Sequence, residues 1–335
     1  LYNGNKRLKT IQQEKLNNQM AELDVATSEN NIQESIAQVY IQILYAAESV
    51  KVNENTLQVS IAQRDRGQEL LNAGSIAKSD LAQLEAQVST DRYQLVTAQA
   101  TLEDYKLQLK QLLELDGENE MNIYLPALSD ENVLAPLPTK RDVYISALSL
   151  RPEIEASKLN VEASELGINI AKSSYFPTIS LSAGIGTNHT SGSDFTFGEQ
   201  VKNGWNNSIG LSVSVPIFNN RQTKSAVQKA KLQYETSMLS LLDEQKALYK
   251  TIESLWLDAN SAQQRYAAAN EKLKSTQISY ELISEQFNLG MKNTVELLTE
   301  KNNLLQAQQE QLQAKYMAIL NTQLLKFYQG DQLAI

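Results

Sequence analysis

The sequence has no cysteine, one histidine, six prolines and thirteen glycines among 335 residues. Without cysteine there is neither a disulfide nor a thiolate metal site. The compartment stays open, because envelope and cytosolic proteins both do without it. The lone histidine, His189, sits in the loop between two strands without an acid and nucleophile cluster, so catalysis would rest on carboxylates alone. Asn188-His189-Thr190 has the form of a glycosylation sequon and is given no weight. No phosphate-binding glycine loop and no metal-ligand spacing occurs, so no cofactor and no metal is expected and the chain reads as a non-enzyme. No run of 18 apolar residues is present, which excludes a membrane-spanning helix. A net charge of −9 argues against a nucleic-acid partner, since such binding neutralises phosphates with lysine and arginine. No start methionine, signal peptide or lipidation cysteine is visible, as in a processed chain or a fragment.

The few helix breakers are unevenly placed. No proline precedes Pro126, and neither glycine nor proline falls between Asn5 and Arg66 or from Arg221 to Leu289. At about 1.5 Å per residue these runs allow two helices of roughly 100 Å each. Helices of that length belong to coiled coils or helical assemblies rather than to ordinary globular domains.

What the chain does contain is a repeat. Displaced by 216 residues it aligns with itself without a net gap: Leu16 with Leu232, Ile36 with Ile252, Tyr40 with Trp256, Gly74 with Gly290, Asp80 with Glu296. Each copy is therefore a supersecondary unit that packs against its twin. The first helix is predicted from near Asn5 to near Leu71, with a buried stripe through Leu16, Met20, Leu23, Ile36, Ile43, Val50 and Leu57. Gly74 suits the left-handed position that ends it, and Ser75 or Ser79 is expected to cap the returning helix, which runs to about Leu115. Residues 116–140 connect, with a short strand expected over Met121 to Leu125, and a broken helical stretch follows from Arg141 to before Tyr175.

Beyond Tyr175 the period changes to two. Ile179, Leu181, Ala183 and Ile185 alternate with Thr178, Ser180, Ser182 and Gly184; past a polar loop, Ile209, Leu211, Val213 and Val215 alternate with Ser208, Gly210, Ser212 and Ser214. The pattern fits a transmembrane β-hairpin with lipid on one face and a polar lumen on the other, and equally a half-buried hairpin of a soluble domain. The long, polar, glycine-bearing loop from Thr187 to Asn207 favours the membrane.

Four segments, in this order and at these distances, resemble the TolC-like outer-membrane efflux proteins: Arg151-Pro152-Glu153-Ile154, Tyr175-Phe176-Pro177, Val215-Pro216-Ile217-Phe218-Asn219 and Phe287-Asn288-Leu289-Gly290. The resemblance implies a mainly α fold, a two-copy repeat of very long antiparallel coiled-coil helices forming a periplasmic α-barrel, with a β-hairpin contributing to a trimeric transmembrane β-barrel. It divides the chain into a first coiled-coil hairpin (1–115), a connecting equatorial region (116–174), the β-hairpin (175–218, external loop 187–207), a second coiled-coil hairpin (219–329) and a tail (330–335). Members give four strands per protomer; with two here, the chain is expected to lack the opening helix and first hairpin.

The same resemblance implies an exit duct in a Gram-negative outer membrane, most of its mass in the periplasm. The partners implied are two further copies in a homotrimer, a periplasmic adaptor, an inner-membrane transporter of the RND or ABC type, and outer-membrane lipid. It assigns adaptor docking to the tips, at Gly74, Ser75, Ile76, Leu289, Gly290 and Met291. A periplasmic gate falls on Ser79, Asp80, Phe287 and Lys292, and the pore aperture on Glu296. Phe287 lacks the hydroxyl and Lys292 the forked guanidinium that the family's links use, which weakens any single link. The alternative is a soluble structural coiled coil with an incidental hairpin.

Overall fold

The computed structural model describes residues 1–115, 123–124 and 133–333. The strand expected over Met121 to Leu125 falls mostly outside the described residues. The elements are β1 (Tyr2–Asn3), α1 (Lys6–Asn72), α2 (Lys78–Leu112), α3 (Lys140–Leu150), α4 (Pro152–Lys172), β2 (Thr178–Gly186), α5 (Phe197–Asn203), β3 (Asn206–Ser214), α6 (Gln222–Asn288) and α7 (Thr294–Gln329). The repeat is reproduced in the backbone. Helix α6 begins and ends 216 positions after α1 does, and α7 begins 216 positions after α2. The unusual dihedrals repeat too: Gly4 and Asn5 have positive φ before α1, as Asn220 and Arg221 have before α6. Among the described residues no helix is long and apolar enough to cross a membrane.

The chain forms two compact units. The first comprises Leu1–Thr27 and Pro152–Lys246, the second Ser28–Arg151 and Ala247–Ile335; α1 and α6 contribute to both.

In the first unit β1, β2 and β3 form an antiparallel sheet in that order. The register sets Ile179 opposite Val213, Leu181 opposite Leu211 and Ala183 opposite Ile209, while Ser180 faces Ser212 and Ser182 faces Gly210. Because side chains alternate along a strand, this register collects the apolar residues on one face and the small polar ones on the other. The apolar face is bare: Ile209 is 83% exposed. Two expectations are corrected. The sheet has a third strand, β1, whose Tyr2 and Asn3 pair with Ile179 and Thr178. The polar loop holds a helix, α5, nucleated by Thr196, whose N–H and hydroxyl both donate to Glu199 (2.9 and 2.7 Å). Helix α4 is tied to the start of α1 by Gln13 Nε2 donating to the Ala163 carbonyl (2.8 Å), and to α6 by the Ser164 and Ser237 hydroxyls (2.8 Å).

In the second unit the main core gathers Ala37, Ile41 and Leu44 of α1, Ala262 and Tyr266 of α6, and the α7 run from Leu312 to Leu324. The connection before α3 is fixed by side chains of α6: Gln263 Nε2 donates to the carbonyls of Val133 and Ala135 (2.9 and 2.8 Å), and Trp256 Nε1 to that of Pro138 (2.9 Å). Arg151, which ends α3, is buried; it pairs with Glu34 at 2.6 Å and lies 3.6 Å over the Tyr328 ring. A planar guanidinium can do both at once, which a lysine cannot.

Candidate functional site

The two helical tips lie in the second unit and are built alike. At the first, Gly74 N–H donates to the Leu71 carbonyl (2.9 Å) and Ser75 N–H to that of Leu70 (2.8 Å); at the second, Gly290 N–H donates to Phe287 (2.9 Å) and Met291 N–H to Gln286 (2.8 Å). This paired bonding closes a helix through a left-handed residue. Gly74 has φ +75° and Gly290 φ +73°, and a Cβ at either would meet nothing within 4 Å. Glycine is required there by the dihedral angle and not by space.

The returning helices are capped by acids. Asp80 Oδ2 accepts from Ala77 N–H (3.0 Å), and Glu296 Oε2 accepts from Asn293 N–H (3.2 Å) while Asn293 Oδ1 accepts from Glu296 N–H (2.9 Å). The cap expected from Ser75 or Ser79 is thus supplied by Asp80, because α2 starts at Lys78, with Ala77 as its cap residue. A carboxylate at this position also offsets the positive end of the helix dipole.

The gate residues are placed differently from one another. Ser79 is exposed and Asp80 half-buried. Lys292 pairs with Glu296 at 2.6 Å, one turn away on the same hairpin, rather than with Asp80. The Lys292 ammonium, with the Asn293 N–H, holds the Glu296 carboxyl below its usual range. Phe287 is 2% exposed and packs with Leu70, Leu84 and Leu297, flanked by Ile76, Ile283 and Leu298. Its ring plugs the space between the hairpins, where a hydroxyl would need a partner. Leu289 and Met291 point outward, 69% and 71% exposed, and Ser75 is exposed. The structure therefore joins Ile76 and Phe287 in one apolar plug and Lys292 and Glu296 in one ion pair.

A further group in this unit was not found from sequence. Lys301 donates to both Ser60 Oγ and Asp91 Oδ2, and Ser60 Oγ donates to Asp91 Oδ2. All three are buried, at 3%, 2% and 1% exposure for Lys301, Ser60 and Asp91. The sequence carried a signal: Lys301 lies on the stripe of Leu297 and Leu304, and Asp91 on that of Leu84 and Val88, so each puts a charge where the period calls for an apolar side chain. Among the described residues no group of three His, Cys, Asp or Glu side chains could hold a metal ion.

The family model for outer membrane efflux proteins matches residues 143–330. The chain is 24% identical over 294 residues to the outer membrane efflux protein BepC of Brucella suis, an alignment covering 87% of this chain and 61% of that one. It is also 24% identical over 294 residues to the outer membrane protein TolC of Escherichia coli, covering 85% and 58%. A solved structure of CusC superposes with a TM-score of 0.84 at 18% identity, over 98% of this chain and 75% of the other. The chain thus spans about three fifths of the length of the curated relatives it matches.

Proposed function

The chain belongs to the outer membrane efflux protein family, and from that premise we propose that it is the exit duct of a tripartite efflux or type I secretion system. Three copies form a passive conduit across the outer membrane and periplasm. A periplasmic adaptor docks at the tips and opens them, and an RND or ABC-type transporter of the inner membrane supplies the energy. Residues 1–115 and 219–329 serve as the coiled-coil hairpins of the helical barrel, 116–174 as its equatorial region, 175–218 as the barrel hairpin with the external loop 187–207, and 330–335 as a tail.

The observation that carries this reading is the β2–β3 hairpin. Its registered apolar face is bare along the strands, and its other face is serine and glycine, as a barrel strand between lipid and an aqueous lumen requires. At the opposite function, docking, the outward Leu289 and Met291 beside the Gly290 turn offer apolar anchors, with Ser75 and Ile76 beside Gly74 at the other tip. The gate is assigned to Ser79, Asp80, Phe287 and Lys292, and the aperture to Glu296. Each exposed charge contact there is worth about 0–1 kcal/mol, so closure rests on several such links acting together.

Opening is a rearrangement of packed helices between two states, with no bond made or broken. The test is single-channel conductance of the protein purified from the outer membrane of its host and placed in planar lipid bilayers. The expected result is a small conductance that rises when Asp80→Lys is combined with Lys292→Ala. An unchanged conductance removes the gate assignment, and no conductance in any preparation removes the duct.

A further inference from the structure

Two grooves run along the helices of the second unit, and the repeat relates them. The first, about 410 Å³, has Tyr45, Ser49 and Asn53 of α1 on one side and Gln94 and Thr97 of α2 on the other. The second, about 590 Å³, has Ser261, Arg265 and Ala269 of α6 and Glu310 and Gln313 of α7, the same positions 216 residues later. The first groove is closed by a third helix. Leu305 and Gln309 of α7 line its flank, and Gln309 Oε1 accepts from Ser49 Oγ (3.1 Å) and from the Tyr45 hydroxyl (3.4 Å). Further along α7, Tyr316 meets the Tyr45 ring edge-on. The described residues that line the second groove all belong to α6 and α7.

The helix that corresponds to α7 is α2. Its residues matching Leu305, Gln309, Leu312 and Tyr316 are Ser89, Tyr93, Val96 and Ala100, and their spacing of four, three and four puts them on one face. On α7 that face is covered, with Leu312 and Tyr316 buried. On α2 it is bare: Tyr93 is 74% exposed and Val96 59%, and Leu107, further along the same face, is exposed as well. One chain therefore shows a groove without a helix and a helix face without a groove, at positions that the repeat makes equivalent. Within the chain they do not meet, since no described residue of α2 lines the second groove.

We propose that the α6–α7 groove takes the Tyr93 stripe of a second copy of this chain, as the α1–α2 groove takes α7 of its own. The side chains brought together suit one another. Where Ser49 and Gln309 hydrogen-bond within the chain, the matching residues are Arg265 and Tyr93, a guanidinium and a ring able to stack as a cation–π pair. Thr56 and Lys301 share a small cavity in the chain, and the residues matching them are Lys272 and Glu85, a base and an acid. Asp91, which neutralises the buried Lys301, corresponds to Ala307, so no buried acid opposes Glu85. Groove and stripe are different surfaces, so the contact is head-to-tail and repeats in one direction until a ring closes. The inference rests on the duct reading only for the number of copies, three; the contact stands on the two grooves and the bare stripe.

The absence of cysteine makes the contact directly readable. In the full protein made in its host, Ser49→Cys with Gln309→Cys is the in-chain reference, and Tyr93→Cys with Arg265→Cys is the matching test pair. A short reducible bis-methanethiosulfonate, added to disrupted cells, is expected to bridge the reference at the mass of one chain. The same reagent is expected to move most of the test pair to two and three chain masses, collapsing on reduction. Co-expressed chains with different tags, one Tyr93→Cys and the other Arg265→Cys, should link to each other and neither to itself. A test pair that stays at one chain mass, while mass spectrometry shows the reference bridged, overturns the proposal. Tyr93→Cys linking to its own kind as readily as to Arg265→Cys overturns it too, because that marks a face-to-face contact. Conductance separates this contact from the duct: linked chains that never conduct remove the duct and keep the contact, and conductance without linking removes the contact and keeps the duct.

Discussion

At the scale of single residues, two glycines and one glutamate set the tips. Gly74→Ala and Gly290→Ala each force a side chain into a left-handed dihedral that only glycine adopts freely, so each variant should lose about 1–2 kcal/mol in denaturant unfolding of the tip unit, with no clash to relieve. Both glycines were legible, because a glycine at the end of a long breaker-free run has few other uses. Phe287 was not. Its place beside Leu289-Gly290 reads as an exposed tip residue, and only the packing against Leu70 and Leu84, more than 200 positions away in sequence, puts it inside. Glu296 carries a pH consequence. A carboxyl held below its ordinary value is more readily ionised folded than unfolded, so its contribution is full above the usual glutamate pKa of about 4.3 and fades as pH falls through the lowered folded value. Protection of the amides in the first turn of α7, taken against the intrinsic exchange rate at each pH, should therefore fall on acidification below that range, and Glu296→Gln should remove that pH dependence while leaving the turn bonding of Gly290 in place.

At the scale of elements, the hairpin and the helices were readable for the same reason: each shows a clean period, two for β2 and β3, three to four for α1, α2, α6 and α7. The hairpin's apolar face makes a specific demand. Ile209→Arg places a charge at the most exposed apolar position within strands β2 and β3, at about 2–4 kcal/mol if that position lies at the bilayer midplane. The variant is expected to keep its helical circular dichroism while its yield in the outer-membrane fraction collapses; normal recovery from that fraction would count against a lipid-facing strand. Where period gave no guidance, sequence reasoning stopped short. Helix α5 hides in a polar loop and depends on one local motif, Thr196 with Glu199. Strand β1 is two residues long, below any period, and exists only through its partner β2. The Ser60–Asp91–Lys301 cluster contradicts the stripe it sits on, and only contacts between distant helices turn that contradiction into an ion pair.

At the scale of the whole molecule, the repeat gave the architecture and concealed the differences. Helix starts, left-handed turns and acidic caps recur at one spacing, since all are properties of the main chain and of short local motifs. The interiors diverge. Gly67 lets α1 approach α2 so closely that an added Cβ would stand 2.4 Å from the Leu84 side chain, whereas its counterpart is Ile283, which itself fills the plug. One tip ends Gly74-Ser75-Ile76-Ala77 and the other Gly290-Met291-Lys292-Asn293. A partner that recognised only the path of the backbone would find the same word spelled twice; one that reads side chains finds two different words in the same handwriting, and can tell left from right on a surface whose outline is the same both ways.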